Sequence, residues 1–244
     1  EKLTRKPVEV ALASEFRYCS PIVDNKTLVV CISQSGTTAD TIAALREAKR
    51  LGGRVLSIVN VVGSTIAKES DDVIYTWAGP EIAVATTKAY STQLAVTYLL
   101  GIYLADCLGT IDKDEYERFL NEIMTIPDKV ESILKGKGHI QYLASLYFNN
   151  QDIFFIGRNI DYALSLEGSL KLKEISYIHS EAYAAGELKH GTISLVEDGT
   201  LVIAVATYQK LLEKTISNIV EVKARDAQVL SLTTESGKPL VGQV

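Results

Sequence analysis

The feature that most constrains this 244-residue chain is that it repeats itself. Thr27-Leu-Val-Val-Cys-Ile-Ser33 matches Thr200-Leu-Val-Ile-Ala-Val-Ala206 at an offset of 173, and Arg54-Val-Leu-Ser57 matches Gln228-Val-Leu-Ser231 at 174. Each copy runs from a β-branched stretch through a polar turn and about twenty residues of helical pattern to another apolar stretch, which reads as strand, helix and parallel strand. Strands apolar on both faces and joined by crossover helices specify a parallel sheet covered on both sides.

Composition supports a buried core: 47% of residues are apolar and 23% charged, with five prolines. A net charge of −5 gives no support for a nucleic-acid surface. The most apolar stretch, Leu94 to Leu108, is broken by Thr97, Gly101 and Asp106 and is shorter than the roughly 20 residues of a membrane span. No secretory signal is visible at Glu1. Cys19, Cys31 and Cys107 are odd in number and lack C-x-x-C spacing, so neither a disulfide framework nor a zinc site is expected, which fits a reducing cytoplasm. No metal or cofactor is expected.

In the first copy Thr37 with Asp40 reads as a capping box, Ile42, Leu45 and Leu51 as a buried helix face, and Gly52 as the stop. Strands are expected at Val55 to Asn60 and near Val73 to Thr76, then one long apolar helix from Ala83 to Ala105. Residues 111–150 form a charged helical connection with breaks at Pro127 and at Gly136-Lys137-Gly138. The second copy opens with the strand Asp152-Ile-Phe-Phe-Ile-Gly157. It has a first strand and helix that the first copy lacks, and it lacks the last strand and helix that the first copy has. Both are expected to be truncated, giving domains at 1–110 and 151–244.

Ser33-Gln-Ser-Gly-Thr-Thr38 lies at the carboxyl end of a parallel strand, where open α/β sheets place ligands. Helix N–H groups, the hydroxyls of Ser33, Ser35 and Thr38, and the close approach allowed by Gly36 would hold a phosphate without a cation. The other reading is that these hydroxyls only cap a helix. The matching turn, Thr207-Tyr-Gln-Lys210, has lost the glycine and the hydroxyl cluster, a difference that capping alone does not require. The motifs G-x-x-x-x-G-K-[ST], G-x-G-x-x-G and G-x-S-x-G are absent from the sequence.

Tyr162, Leu166 and Leu170 recur at i, i+4 and should face the protein, with Glu174 next on the row. A carboxylate on an apolar stripe is desolvated toward the range of a general base, and Lys171 would neighbour it. Alternatively Glu167 and Lys171 form a surface pair and Glu174 sits at a frayed helix end. His190 lies in the polar turn Gly186-Glu-Leu-Lys-His-Gly191, where a lone histidine is commonly solvated. His139 fits that reading too, while His179 could be a core residue. An acid, a lysine and a histidine within about twenty residues make a candidate proton-transfer site.

The motifs Ser33-Gln-Ser-Gly-Thr-Thr-Ala-Asp40, Ala78-Gly-Pro-Glu-Ile-Ala-Val-Ala-Thr-Thr-Lys88, Leu166-Glu-Gly-Ser-Leu-Lys-Leu-Lys-Glu-Ile-Ser176 and Glu181-Ala-Tyr-Ala-Ala-Gly-Glu-Leu-Lys-His-Gly191 resemble the isomerase part of the glucosamine-6-phosphate synthase family. The resemblance runs over essentially the whole chain. It implies two tandem three-layer SIS domains, each a parallel sheet of nucleotide-binding type. It implies that Ser33, Gln34, Ser35 and Thr38 hold the phosphate of fructose 6-phosphate, and that Val84 and Thr86 contribute to the sugar site. It assigns to Glu174 the C1/C2 proton transfer, to Lys171 assistance, and to His190, contributed by the neighbouring subunit of a homodimer, opening of the sugar ring. The glutaminase domain that supplies ammonia, a first-strand Cys-Gly-Thr turn and a carboxyl-terminal lysine lie outside this sequence, so the chain alone is expected to be incomplete. Within the same fold a fructosamine-type deglycase and a non-catalytic sugar-phosphate sensor are the alternatives. A sensor would need the cradle without Glu174, Lys171 and His190.

Overall fold

The β-branched runs of the repeat become parallel strands in a computed structural model, which describes residues 1–242. Two compact units form, Glu1–Ile133 and Leu134–Val244. The first contains α1 (Ala13–Phe16), β1 (Leu28–Ser33), α2 (Ala39–Arg50), β2 (Arg54–Val59), α3 (Thr65–Glu69), β3 (Asp72–Tyr75), α4 (Thr87–Cys107) and α5 (Lys113–Met124). The unit boundary falls inside α6 (Ile126–Lys135). The second contains α7 (Lys137–Tyr147), β4 (Asp152–Gly157), α8 (Ile160–Ser176), β5 (His179–Ala184), β6 (Leu201–Ala206), α9 (Leu212–Lys223), β7 (Gln228–Thr233) and α10 (Lys238–Val241). Three short 3₁₀ turns, Leu188–His190, Thr192–Leu195 and Gln209–Leu211, precede and follow β6.

The repeat is structural as well as textual. β1 and β6, and α2 and α9, begin 173 residues apart, and β2 and β7 begin 174 apart. The sheets are parallel throughout, ordered β1-β2-β3 in the first unit and β5-β4-β6-β7 in the second. The α/β class with parallel sheets expected from the pattern is therefore present.

Alternation along the strands sets what each face buries. In the second unit Phe154, Ile156, Val202 and Ala204 pack with Ile219 and Val222 of α9. The odd-numbered Ile153, Phe155 and Leu201 lie in a separate cluster with Leu172 of α8. In the first unit Cys31, Val55 and Val59 pack with Leu45, Ala48 and Ile66 on the α2 side. Burial there pushes the Cys31 thiol up to about 11, since a thiolate would lose its hydration. The opposite face of β1 differs from its repeat partner. Leu28, Val30 and Ile32 are 42%, 38% and 45% exposed, whereas Leu201 and Val205 of β6, on the face covered by α8, are buried.

Two expectations need correction. The long helix begins at Thr87 rather than Ala83, because Thr86 takes a left-handed φ of 57° and Glu81 accepts from the Ala83 and Ala89 N–H groups, tying residues 81–86 into a loop. The row Tyr162, Leu166, Leu170 does not face the sheet: Leu166 and Leu170 are 48% and 43% exposed. The buried side of α8 is Asp161, Ser165 and Ser169, small groups that let the helix lie close to β4 and β5. Gly168 shows how close, since a Cβ there would come within 3.0 Å of the Phe155 ring. The buried hydroxyls are satisfied locally: Ser165 Oγ donates to the Asp161 carbonyl at 2.8 Å, and Ser180 Oγ to Ser169 Oγ at 2.9 Å.

Leu45 is fully buried, so Leu45→Ala should destabilise the protein by about 3 kcal/mol through lost burial and a cavity. Ile32→Ser on the uncovered face should cost less than about 1 kcal/mol. Urea unfolding of the two variants checks the contrast, and equal losses would contradict the assignment of faces.

Candidate functional site

The turn after β1 is wired by its own hydroxyls. Ser33 Oγ, buried beneath the turn, accepts from the Gly36 N–H at 3.1 Å and shares a 3.0 Å hydrogen bond with Thr38 Oγ1. Ser35 Oγ accepts from the Thr37 N–H at 3.2 Å and the Thr37 hydroxyl at 3.0 Å. The expected capping box of Thr37 and Asp40 is therefore not formed. Thr37 is drawn to Ser35, Thr38 occupies the N-cap position, and among the described residues no side chain accepts from the first N–H groups of α2. Those donors and the positive end of the helix dipole remain available at the turn.

Gly36 is required here twice over. Its φ is +65°, and a Cβ would collide with the Ser64 side chain, whose hydroxyl is buried with no hydrogen-bond partner among the described residues. The Ile66 N–H donates to the Gly36 carbonyl at 2.9 Å, tying the turn to α3. Gln34 is half-buried, and its Oε1 is likewise buried without a partner among the described residues. Ser35 and Thr38 are exposed.

Asn60, which sequence reading passed over, connects this turn to the next loop. Its N–H donates to the Gln34 carbonyl at 3.2 Å, its Oδ1 accepts from the Thr76 hydroxyl at 3.0 Å and the Ala78 N–H at 2.8 Å, and its Nδ2 donates to the Gly79 carbonyl at 2.8 Å. A cleft of about 420 Å³ opens between Asn60, Val61, Trp77, Gly79 and Pro80, at the carboxyl ends of β2 and β3. The available signal was position: an asparagine immediately after a parallel strand. Val84 and Thr86 lie in the following loop, Val84 84% exposed and the Thr86 hydroxyl donating to the Val84 carbonyl at 2.8 Å.

In the second unit Lys171 lies between two carboxylates, 2.6 Å from Glu174 Oε2 and 3.7 Å from Glu167 Oε1. The Glu174 side chain keeps 30% of its surface accessible, so the strong desolvation expected of an apolar stripe is absent. The hydrogen bond to Glu174, with the charge of Glu167 behind it, holds the Lys171 ammonium above the ordinary lysine range. His190 is exposed at the end of a 3₁₀ turn anchored by buried Leu188, and forms no ion pair or side-chain hydrogen bond with Glu174 or Lys171 among the described residues. His179 is not a core residue. Its side chain is 58% exposed and its Nδ1 lies 2.7 Å from Asp152 Oδ1, because β5 is an edge strand.

The model of the SIS domain matches residues 1–103 and 146–243. The chain is 58% identical to the glutamine–fructose-6-phosphate aminotransferase [isomerizing] of Clostridium tetani over 98% of its length and 39% of the relative's. It is 57% identical to the protein of that name from Caldanaerobacter subterraneus subsp. tengcongensis, over all of this chain and 40% of the relative. The chain thus spans about two fifths of these relatives. Among solved structures, the C-terminal domain of glucosamine-fructose-6-phosphate aminotransferase from Francisella tularensis superposes with a TM-score of 0.95 at 38% identity, covering 98% of this chain and 68% of that one.

Because its folded value is raised, the contribution of the Lys171 ammonium to stability is complete below the ordinary lysine range and is lost as pH rises through the folded value. Titration of the Lys171 side chain by NMR should give a midpoint above that of a free lysine, falling back toward it in Glu174→Gln. An ordinary midpoint in the unsubstituted protein would contradict the pairing.

Proposed function

The chain belongs to the SIS domain family, and from that premise we propose that it is the sugar-phosphate isomerase part of a cytoplasmic aminotransferase making glucosamine 6-phosphate from fructose 6-phosphate and glutamine-derived ammonia. The observation that carries this reading is the turn Ser33–Thr38, where hydroxyls occupied with one another leave α2 without a side-chain cap. A phosphate there replaces water on the free N–H groups, and Ser33, Gln34, Ser35 and Thr38 surround it. Val84 and Thr86 border the sugar.

In this reading Glu174 takes a proton from C1 of the open-chain C2 imine and returns it to C2, while the proton of the C1 hydroxyl passes to the imine nitrogen, leaving an aldehyde at C1 and an amine at C2. Lys171, within hydrogen-bond reach of Glu174, orients the carboxylate for the transfer and assists proton movement. His190, free on its exposed turn, acts on the ring oxygen of a substrate bound by the neighbouring subunit of a homodimer. Ammonia comes from a glutaminase domain of the full-length chain.

The proposal further takes the chain as two tandem three-layer SIS domains, 1–110 and 151–244, joined by the helical connection 111–150. Among the described residues, β4 and α8 have no counterpart in the first and β3 and α4 none in the second. The uncovered Leu28, Val30 and Ile32 support this, since they match residues of β6 on the face that α8 covers.

In the full-length enzyme Glu174→Gln should lower exchange of solvent hydrogen into C1 and C2 of the sugar phosphate by about 10²-fold or more, the usual scale of a positioned base, while binding is spared. Exchange at the unsubstituted rate would remove Glu174 from the mechanism.

A further inference from the structure

The turn of the second repeat that matches the phosphate cradle already holds an anion, and the anion belongs to the chain. The offset of 173 carries Ser33–Thr38 onto Ala206–Leu211 and α2 onto α9. At this second turn the N–H groups of Thr207 and Tyr208 both donate to Asp161 Oδ2 at 2.9 Å, and the Thr207 hydroxyl donates to Oδ1 at 2.6 Å. Asp161 is 1% exposed.

A carboxylate removed from water is strongly unfavourable unless its oxygens are satisfied by well-placed donors, and here both are. Service to its own helix does not explain the placement. Asn159 caps α8, its Oδ1 accepting from the Ile160 N–H at 2.9 Å, while the bonds of Asp161 reach residues 46 and 47 positions away. In the first repeat the corresponding donors are the N–H groups of Gln34 and Ser35, and neither has a backbone acceptor among the described residues outside the strand ladder.

We propose that the turn Ala206–Leu211 is an anion site at the same place in the repeat as Ser33–Thr38, with Gln209–Leu211 forming a 3₁₀ turn where Gly36 takes a φ of +65°, and that the Asp161 carboxylate fills it permanently. The duplicated fold thus presents one turn to a phosphate rather than two. Loss of the glycine and of all but the Thr207 hydroxyl of the cluster follows, because an anchored side chain does not need the close approach of a free ligand. The gap left by removing the carboxylate should persist, since Gly157 packs β4 directly on the Asp161 backbone.

Thermal unfolding of Asp161→Ala and Asp161→Asn, with formate as the probe and chloride at equal ionic strength as the reference, tests this. In chloride Asp161→Ala should lose about 5 °C or more of Tm, and formate should return at least about 2 °C of it in a saturable manner, above any gain in the unsubstituted protein. Asp161→Asn, whose amide still fills the gap, should show no such extra gain. If Asp161→Ala is unfolded in chloride, refolding in formate is the expected result. Equal behaviour of Asp161→Ala in formate and chloride, or the same formate gain in Asp161→Asn, would overturn the proposal. The outcome is independent of whether the first turn binds a sugar phosphate.

Discussion

The molecule depends on what happens to backbone N–H groups where a parallel strand turns into a helix. These donors have no partner inside the helix, and water, a side chain or an anion must satisfy them. The two copies of the repeat solve the problem differently. In the second, Asp161 closes the turn from within, accepting from the Thr207 and Tyr208 N–H groups ahead of the helix. In the first, the nearby hydroxyls bond to one another, and Gly36 is pressed against Ser64, leaving the turn open for the phosphate proposed to bind there.

That division of labour extends to the rest of each unit. The first couples its turn through Asn60 to the loop that carries Val84 and Thr86, so the groups proposed to hold phosphate and sugar belong to one hydrogen-bonded segment. The second carries the titratable groups on α8, whose small buried residues leave Glu167, Lys171 and Glu174 accessible as a linked row. In the proposed reading, binding by backbone dipoles and proton transfer by side chains fall to different copies of one supersecondary unit.

How much of this was legible in the sequence follows from the kind of interaction involved. Strand positions and the repeat are legible because burial on both faces forces β-branched runs, and the shared offset survives into the fold. The orientation of α8 is not legible in the periodicity of its large residues, because close helix packing selects Ser165, Gly168 and Ser169 for the side against the sheet. The capping box at Thr37 failed for a related reason: several hydroxyls in one turn compete, and sequence spacing does not say which pair wins. Asn60 and Asp161 escaped notice because their partners lie 16 or more residues away, through contacts that only the fold creates.

Calorimetric titration of the chain with fructose 6-phosphate and, separately, with unphosphorylated fructose tests the cradle most directly, since it needs no turnover. Saturable heat with the phosphorylated sugar alone, weakened in Ser35→Ala, is the predicted result. Equal heats from both sugars, or no binding by either, would contradict a phosphate held at the start of α2.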